Sequence, residues 1–510
     1  MALPYQYIQA RNSFVGGDAT EWTLLGACGS RLVAQSSSGA TSLWPVEDDE
    51  LSRNRVDDEA QEPPGKRVKL SPPPQPRPNF CCLSLSNNKQ YLVAATAEDR
   101  CIRVFQIELD CCLTELSQRC MARRLCAITL TPDDSIILCA DKFGDVYAIP
   151  LLPSPDDEGS GTSARRHGET APKQFVPSAS LLTVHSGRNR KVLEEQIKQS
   201  GKGQKKTKET MKFKHELLLG HVSMLTDIVY ATIDPGTKNE RPHGYIITAD
   251  RDEHIRISRG PPQAHIIEGF CQGHEEFVSR LCLTTSGLLV SGGGDTCLLV
   301  WDWLHSRLVD RLCIRDTVLF FLKADSELAS RLSEESGLKI AVCGIWSVPR
   351  CQPEREVILV ACEGIPALFR FGIQGTQGAS KIGEIIPLSG NALDVAFICP
   401  PTGACTAVVS VDNLHKPGST TETREHEGPF RLQYFSYQDG EWREDRTFER
   451  KLEWFSSRAL VEKASSAAGQ DARSDSTGET ARARLAVDEK AVRDMLYGME
   501  NLRKRPGSED

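Results

Sequence analysis

Two sets of polar residues in the middle of the chain repeat each other, and their types could support either acid–base chemistry or a structural hydrogen-bond network. Each set holds a histidine, a hydroxyl residue and an aspartate: His221, Thr248 and Asp252, then His274, Ser291 and Asp295. A histidine beside a carboxylate is a common general base. Repetition of the whole set within one chain instead indicates a repeating structural unit.

The second set ends in Trp301–Asp302, and Trp301 aligns with Ser258 of the first set. In a β-propeller blade, a loop His, a strand Ser or Thr, a turn Asp and a strand Trp form a buried hydrogen-bond chain that joins three strands and a loop. Gly-His followed by Trp-Asp within about 40–45 residues is the signature of a WD repeat. We therefore interpret His221 and His274 as structural residues, with no catalytic role.

Short runs of β-branched and aliphatic residues, separated by Gly, Asp, Asn, Ser and Pro, fill the chain between three polar segments. Removing those segments leaves 371 of the 510 residues, enough for seven or eight blades of about 40–45 residues, of which we favour seven. The sequence predicts an all-β fold, a seven-bladed WD40 β-propeller with disordered insertions and a C-terminal helix. We expect Tyr5–Ala10 to complete the last blade, because an open sheet edge invites aggregation.

The chain divides by composition into seven parts. They are the first blade with a ring-closing strand (1–46), a disordered linker (47–77), the second and third blades (78–153), a basic disordered insertion (154–214), blades four to seven (215–463), another disordered linker (464–485), and a C-terminal helix and tail (486–510). Apolar residues at helical spacing between Val487 and Leu502 predict the helix.

Composition argues against several classes of protein. The net charge of −8 does not favour indiscriminate nucleic-acid binding, although residues 165–214 carry a local charge of +9. No apolar run reaches the roughly 18–20 residues of a membrane span, and we read no secretory signal, so we expect an intracellular protein without membrane contact. The 18 cysteines lack a C-x-x-C pair, and we expect reduced thiols and no metal.

Sequence motifs of catalysis are missing as well. The chain contains no Walker A pattern, no H-E-x-x-H, no strand-G-x-G-x-x-G-helix unit and no nucleophile elbow. Its one glycine-rich run, Gly292–Gly294, precedes Asp295 at the expected turn between two strands of a blade. We therefore predict a protein that is not an enzyme and binds no cofactor.

Several runs resemble one protein family more closely than a generic WD repeat. Those runs are Ala140–Leu151, Leu217–Val229, Ile246–Arg259, Phe270–Leu283 and Leu496–Arg505. They resemble the non-catalytic WD-repeat subunit of the eukaryotic tRNA (guanine-N7) methyltransferase, in its fungal form. The resemblance implies a propeller that forms a heterodimer with the catalytic subunit and holds it active on tRNA. That partner binds S-adenosylmethionine and forms 7-methylguanosine in the variable loop.

Arg256 is the first candidate for partner binding. It lies between the apolar residues Ile255 and Ile257 of a predicted strand, so its side chain points away from theirs. The resemblance implies that the basic residue at this position pairs with an acidic residue of the catalytic subunit. Further candidates are Lys142, Arg251, Glu253 and His254. The alternative for each is a solvated surface charge.

Two basic segments suggest additional roles. Lys66, Arg67 and Lys69 follow Pro63-Pro64-Gly65 in a linker and resemble a nuclear import signal, which predicts nuclear localisation; the alternative is solvated linker charge. The basic insertion either contacts tRNA phosphates or is a solvated loop. Because fold does not determine function, a general WD-repeat adaptor of a ubiquitin ligase or chromatin complex is the alternative function.

Overall fold

Short strands bounded by turn residues account for most of what the structure describes. The computed structural model describes residues 3–14, 20–45, 77–153, 211, 213–234, 242–330, 338–349, 356–373, 383–399, 405–426, 428, 430–438, 441–457 and 489–504. Within these ranges the strands form seven four-stranded antiparallel sheets. The predicted all-β, seven-bladed propeller is confirmed.

The first three blades come from the N-terminal part of the chain. Blade 1 holds β1 (Tyr7–Phe14), β2 (Thr20–Cys28), β3 (Arg31–Ser36) and β4 (Thr41–Trp44). Blade 2 holds β5 (Phe80–Leu85), β6 (Tyr91–Thr96), β7 (Cys101–Ile107) and β8 (Leu113–Cys120). Blade 3 holds β9 (Leu125–Leu130), β10 (Ile136–Asp141), β11 (Asp145–Pro150) and β12 (Glu216–Gly220).

Blades 4 to 7 follow in chain order. Blade 4 holds β13 (Leu225–Ile233), β14 (His243–Asp250), β15 (Ile255–Arg259) and β16 (Ile267–Cys271). Blade 5 holds β17 (Val278–Leu283), β18 (Leu289–Gly293), β19 (Cys297–Asp302) and β20 (Arg307–Cys313). Blade 6 holds β21 (Val342–Ser347), β22 (Glu356–Cys362), β23 (Ala367–Ile373) and β24 (Glu384–Pro387). Blade 7 holds β25 (Ala392–Ile398), β26 (Thr406–Val411), β27 (Leu432–Gln438) and β28 (Glu441–Glu444).

Helices occupy little of the described chain. They are α1 (Ile314–Ala324), α2 (Ser326–Ser330), α3 (Arg446–Lys451), α4 (Glu453–Ser457) and α5 (Glu489–Leu496), with 3-10 turns at Trp303–His305 and Glu500–Leu502. None of these helices is long and apolar enough to cross a membrane.

One predicted domain boundary is wrong. The fourth blade was expected to begin at residue 215, but β12 is the outer strand of blade 3, where Leu217 lies opposite Tyr147 of β11. The residues that end at Gly220, the first residue of the Gly-His pair, form the last strand of blade 3. The sequence repeat therefore begins one strand earlier than the blade it was assigned to. The basic insertion therefore separates the third and fourth strands of a single blade.

The prediction of a ring-closing N-terminal strand is also wrong. Strand β1 pairs with β2 over eight residues and is the inner strand of blade 1. Blade 7 takes all four of its strands from the C-terminal part of the chain, and β28 supplies its outer strand. The first and last blades therefore meet through side chains and loops, with no shared strand.

Tyr5 is the centre of that junction. Its hydroxyl donates to the carbonyl of Phe455 (2.8 Å) and accepts from Arg431 (3.0 Å), and its carbonyl accepts from Ser410 (2.6 Å). The Tyr5 and Phe455 rings stack with centroids 4.5 Å apart. Nearby, the backbone N–H of Ile8 donates to Asp394 of β25 (2.8 Å). The ring closes through a buried polar and aromatic cluster.

The C-terminal helix is shorter than predicted. It was expected to span Val487–Leu502, but α5 ends at Leu496. Beyond it, the backbone N–H groups of Gly498, Met499 and Glu500 all donate to the carboxylate of Glu363 in blade 6. These N–H groups would have to donate to carbonyls four residues earlier for the helix to continue. Glu363 therefore ends the helix by competing for its donors.

The expectation that all cysteines are reduced is wrong for four of them. Disulfides join Cys101 to Cys120 and Cys399 to Cys405. The first links β7 to β8, where the two residues lie directly opposite each other. Most of the other described cysteines are at least partly buried, and burial raises the pKa of the Cys28 thiol to about 11.

We predict that Tyr5→Phe destabilises the propeller, because it leaves the Phe455 carbonyl and the Arg431 guanidinium without one buried partner. Loss of a buried hydrogen-bond partner typically costs about 1–3 kcal/mol. The thermal unfolding midpoint of the purified protein should fall below that of wild type. Tyr91→Phe, in β6 of blade 2, is the matched control, and equal midpoints for the two variants would contradict this account of ring closure.

Candidate partner-binding surface between the third and fourth blades

The four residues predicted to form a hydrogen-bond chain in blade 5 lie together in the structure. His274 contacts Asp295 through Nδ1 (2.6 Å) and Ser291 through Nε2 (2.7 Å), and the indole N–H of Trp301 donates to Ser291 (2.8 Å). His274, Ser291 and Trp301 are buried. This hydrogen-bond chain holds the loop before β17 against β18 and β19, so its role is structural.

Blade 4 has a different version of this network. Thr248 and His221 Nε2 are 3.2 Å apart, as the alignment predicts. Asp252 does not complete the set: its carboxylate lies 3.2 Å from Lys504 instead. The buried acid of this turn is Asp250, which accepts from the backbone N–H groups of Asp252 (2.9 Å) and His254 (3.0 Å). Because Asp250 caps the turn, Asp252 is left on the surface, and its predicted tetrad role is wrong.

Arg256 approaches the glycine of the Gly-His pair of its repeat, as Trp301 does in blade 5. Its Nε donates to Ser258, the residue aligned with Trp301, at 3.0 Å, and one Nη donates to the carbonyl of Gly220 at 3.0 Å. Gly220 ends the outer strand of blade 3. The guanidinium is therefore held at the junction of blades 3 and 4, half-buried, in a fixed position.

Strand register explains why Arg256 faces blade 3. Directly opposed residues of antiparallel strands share a face of the sheet, and Thr248, Arg256 and Phe270 form such a row across β14, β15 and β16. The alternating residues Ile255 and Ile257 pack on the other face, in a cluster with blade 5. The predicted separation of Arg256 from the apolar residues beside it is thus observed.

Exposed apolar side chains lie on the strand and loops next to those that hold Arg256. Phe270 is its cross-strand neighbour and is partly exposed, Val222 is fully exposed two residues after Gly220, and Phe143 is 63% exposed in the turn before β11. The backbone N–H of His221 donates to Gly144 (2.8 Å), which brings the loops carrying Val222 and Phe143 together. We call Phe143, Val222, Arg256 and Phe270 the blade 3–4 patch.

Gly144 allows this close approach of two loops. Its φ is +99°, in the left-handed region, and a Cβ at this position would collide with the carbonyl oxygen of His221. Phe143 is the feature that sequence reasoning missed. The sequence could have indicated it, because an aromatic residue is unusual in a turn of charged residues such as Asp141–Asp145.

The remaining predicted partner-binding residues lie close to this patch but differ in their contacts. Lys142 is exposed beside Phe143. His254 is exposed, with Nδ1 3.5 Å from Asp250. Arg251 donates to the carbonyl of Leu502 (2.9 Å), and Glu253 lies 3.0 Å from Lys504. The last two residues thus contact the C-terminal segment of the same chain.

The structure places no candidate metal site on this surface. Within the described ranges, no group of three or more His, Cys, Asp or Glu residues is arranged to hold a metal ion. The absence of a cofactor from this chain stays a prediction. Lys66, Arg67 and Lys69 lie outside the described residues.

The seven sheets and the His274–Trp301 network define a WD40 β-propeller protein. The family model for the tRNA methyltransferase TRM82 WD40 domain matches residues 24–435. The chain is 54% identical to the tRNA (guanine-N(7)-)-methyltransferase non-catalytic subunit TRM82 of Phaeosphaeria nodorum, with 100% of both chains covered. It is 39% identical to the subunit of that name from Coccidioides immitis, over 94% of each chain. The chain belongs to the TRM82 family.

We predict that His221 makes the stability of the propeller dependent on pH. Burial, together with the positive charges of Arg256 and His254, lowers the pKa of His221 to about 4. An unfolded histidine titrates near 6.5. Between these values the unfolded chain binds the proton and the folded chain does not, so stability should fall as the pH drops from 7.5 to 5.

The measurement is the change in thermal midpoint between pH 7.5 and pH 5. It should be smaller for His221→Gln than for wild type, because glutamine does not titrate. His265→Gln, at an exposed position of blade 4, should keep the wild-type change. If the thermal midpoints of His221→Gln and wild type fall equally between pH 7.5 and pH 5, His221 is not the source of the pH dependence.

Proposed function

We propose that this chain is the non-catalytic subunit of a tRNA (guanine-N7-)-methyltransferase. It binds the catalytic subunit as a heterodimer and stabilises its active conformation, and tRNA is bound by the complex. The full-length match to TRM82 subunits supports the assignment. The protein supplies a rigid surface, while S-adenosylmethionine and the methyl transfer belong to the partner.

The position of Arg256 is the structural observation that supports this proposal best. Its guanidinium is held by Ser258 and Gly220, and Phe143, Val222 and Phe270 are exposed on the adjacent strand and loops. Protein interfaces are enriched in arginine and in aromatic residues, which often supply most of the binding energy. Because the guanidinium is already ordered, little side-chain entropy is lost when an acidic group of the partner binds it. Lys142 and His254 extend the same surface.

We predict that Arg256→Glu weakens binding of the catalytic subunit by roughly tenfold or more, because an acidic partner group would then face a like charge. Co-purification and a titration of the two purified subunits measure this loss. Arg259→Glu is the matched control, since it reverses a charge in the same strand on the opposite face, where Arg259 pairs with Glu268.

The cellular readout is mass-spectrometric analysis of tRNA nucleosides. Cells without this chain should lose 7-methylguanosine selectively, and wild type and Arg259→Glu should restore it better than Arg256→Glu. Unchanged 7-methylguanosine in the deletion would overturn the proposed function and leave a WD-repeat adaptor for another complex as the alternative.

We further propose that the protein acts in the nucleus and that Lys66, Arg67 and Lys69 direct its import. A cluster of basic residues next to prolines supports this proposal. Replacing all three with alanine should shift a fluorescent fusion from the nucleus to the cytoplasm. Replacing Lys202, Lys205 and Lys206 of the basic insertion should not, and nuclear accumulation of the first variant would argue against the import signal.

A further inference from the structure

The C-terminal segment, Tyr497–Lys504, crosses the propeller from blade 7 to blade 4. At its start, the Tyr497 hydroxyl donates to Asp412, which follows β26, and accepts from Asn391 (2.9 Å). The next three residues donate their backbone N–H groups to Glu363, which follows β22. Both contacts lie at the connection between the second and third strands of a blade, so the segment runs along one end of the ring.

Arg503 anchors the segment on blade 5. It forms an ion pair with Glu276 (3.0 Å), donates to the carbonyl of Ile340 (2.8 Å) and lies over the ring of Phe277, 5.5 Å from its centroid. Only 16% of its side chain is exposed. The segment is thus tightly fixed one residue before its last described position.

The segment ends on the acidic turn of blade 4. Residues 250–253 carry the three carboxyl groups of Asp250, Asp252 and Glu253 against the one guanidinium of Arg251. Lys504 Nζ lies 3.2 Å from Asp252 and 3.0 Å from Glu253. These contacts raise the pKa of Lys504. Burial opposes ionisation of Asp252, but hydrogen bonds from Ser223 and Lys504 outweigh it, and the pKa of Asp252 is lowered. Lys504 therefore compensates part of the net negative charge that Arg251 leaves on the turn.

This turn directly precedes Arg256. Glu253 and Arg256 are three residues apart, so their Cα atoms are at most about 11 Å from each other. Exposed charges interact over that distance mainly at low ionic strength, because the screening length is about 10 Å at 0.1 M salt and about 30 Å at 0.01 M. Uncompensated carboxylates in the turn would repel an acidic group that approaches Arg256. Lys504 removes that repulsion without occupying the blade 3–4 patch.

We propose that the C-terminal segment is part of the partner-binding surface, where Lys504 neutralises the acidic turn and so allows Arg256 to attract an acidic region of the catalytic subunit. This inference rests on the proposed function. It assigns to the segment an electrostatic role in assembly, in addition to its contacts with blades 5 to 7.

The first test is charge reversal at Lys504. Lys504→Glu should weaken binding of the purified catalytic subunit by roughly tenfold at 50 mM salt and by much less at 500 mM, because salt screens the repulsion. The thermal midpoint should stay close to wild type, since the Lys504 side chain is 53% exposed. Lys323→Glu makes the same change on an exposed position of α1 and should bind as wild type does.

The second test removes the repelling charges. Adding Asp252→Asn and Glu253→Gln to Lys504→Glu should restore affinity to within about threefold of wild type, because the loss of two carboxylates offsets the change of two charge units at position 504. Persistent weak binding of this triple variant would overturn the neutralisation mechanism.

Comparison with Arg256→Glu separates this inference from the function on which it rests. If Arg256→Glu weakens binding and Lys504→Glu does not, the role of the segment is refuted and the proposed function stands. If the wild-type protein does not bind the catalytic subunit at all, the proposed function fails.

Discussion

Closure of a ring of seven sheets is the constraint on which the rest of this structure depends. Each inner strand must contact the next one around the axis, and buried polar groups fix those contacts. Asp227 accepts from the backbone of Leu281 (2.8 Å) between blades 4 and 5, and Arg280 donates to the carbonyl of Cys343 (2.7 Å) between blades 5 and 6. Between blades 7 and 1, Asp394 accepts from the backbone N–H of Ile8 (2.8 Å), and burial raises the pKa of Asp394 to about 6. Each buried acid requires its backbone donors to be in place, which favours one arrangement of blades.

The blade 3–4 patch is a consequence of that arrangement. Because side chains alternate along a strand, every second residue of β15 faces blade 3, and the others form the core shared with blade 5. In blade 5 the third strand uses Trp301 to complete the buried network, whereas blade 4 has Ser258 there. The smaller residue leaves room for Arg256 to turn back and bond to Ser258 and Gly220. A degenerate repeat thus provides a surface cation held in a fixed position.

The sequence predicted those parts of the structure that depend on local spacing. The network of His274 and Trp301 could be predicted because its four polar residues recur at the fixed intervals of a WD repeat. Asp250 and Asp252 could not be distinguished, since either lies at a turn and only backbone geometry decides which one caps it. The pairing of β1 and the path of the C-terminal segment depend on contacts between residues far apart in the chain. No short pattern encodes that Glu363 meets Gly498 across 135 positions.

The junction of the first and last blades also bears on synthesis. Tyr5 and its hydrogen-bond partner Phe455 are 450 positions apart. At about 5–20 residues per second, a ribosome makes the second roughly 20–90 s after the first. During that interval Leu3, Tyr5 and Ile8, all fully buried in the finished ring, have no C-terminal half to pack against. For most of its translation, the nascent chain therefore exposes an apolar N-terminal segment that has not yet packed against its partners. Chaperones that shield exposed apolar surface would be expected to bind it.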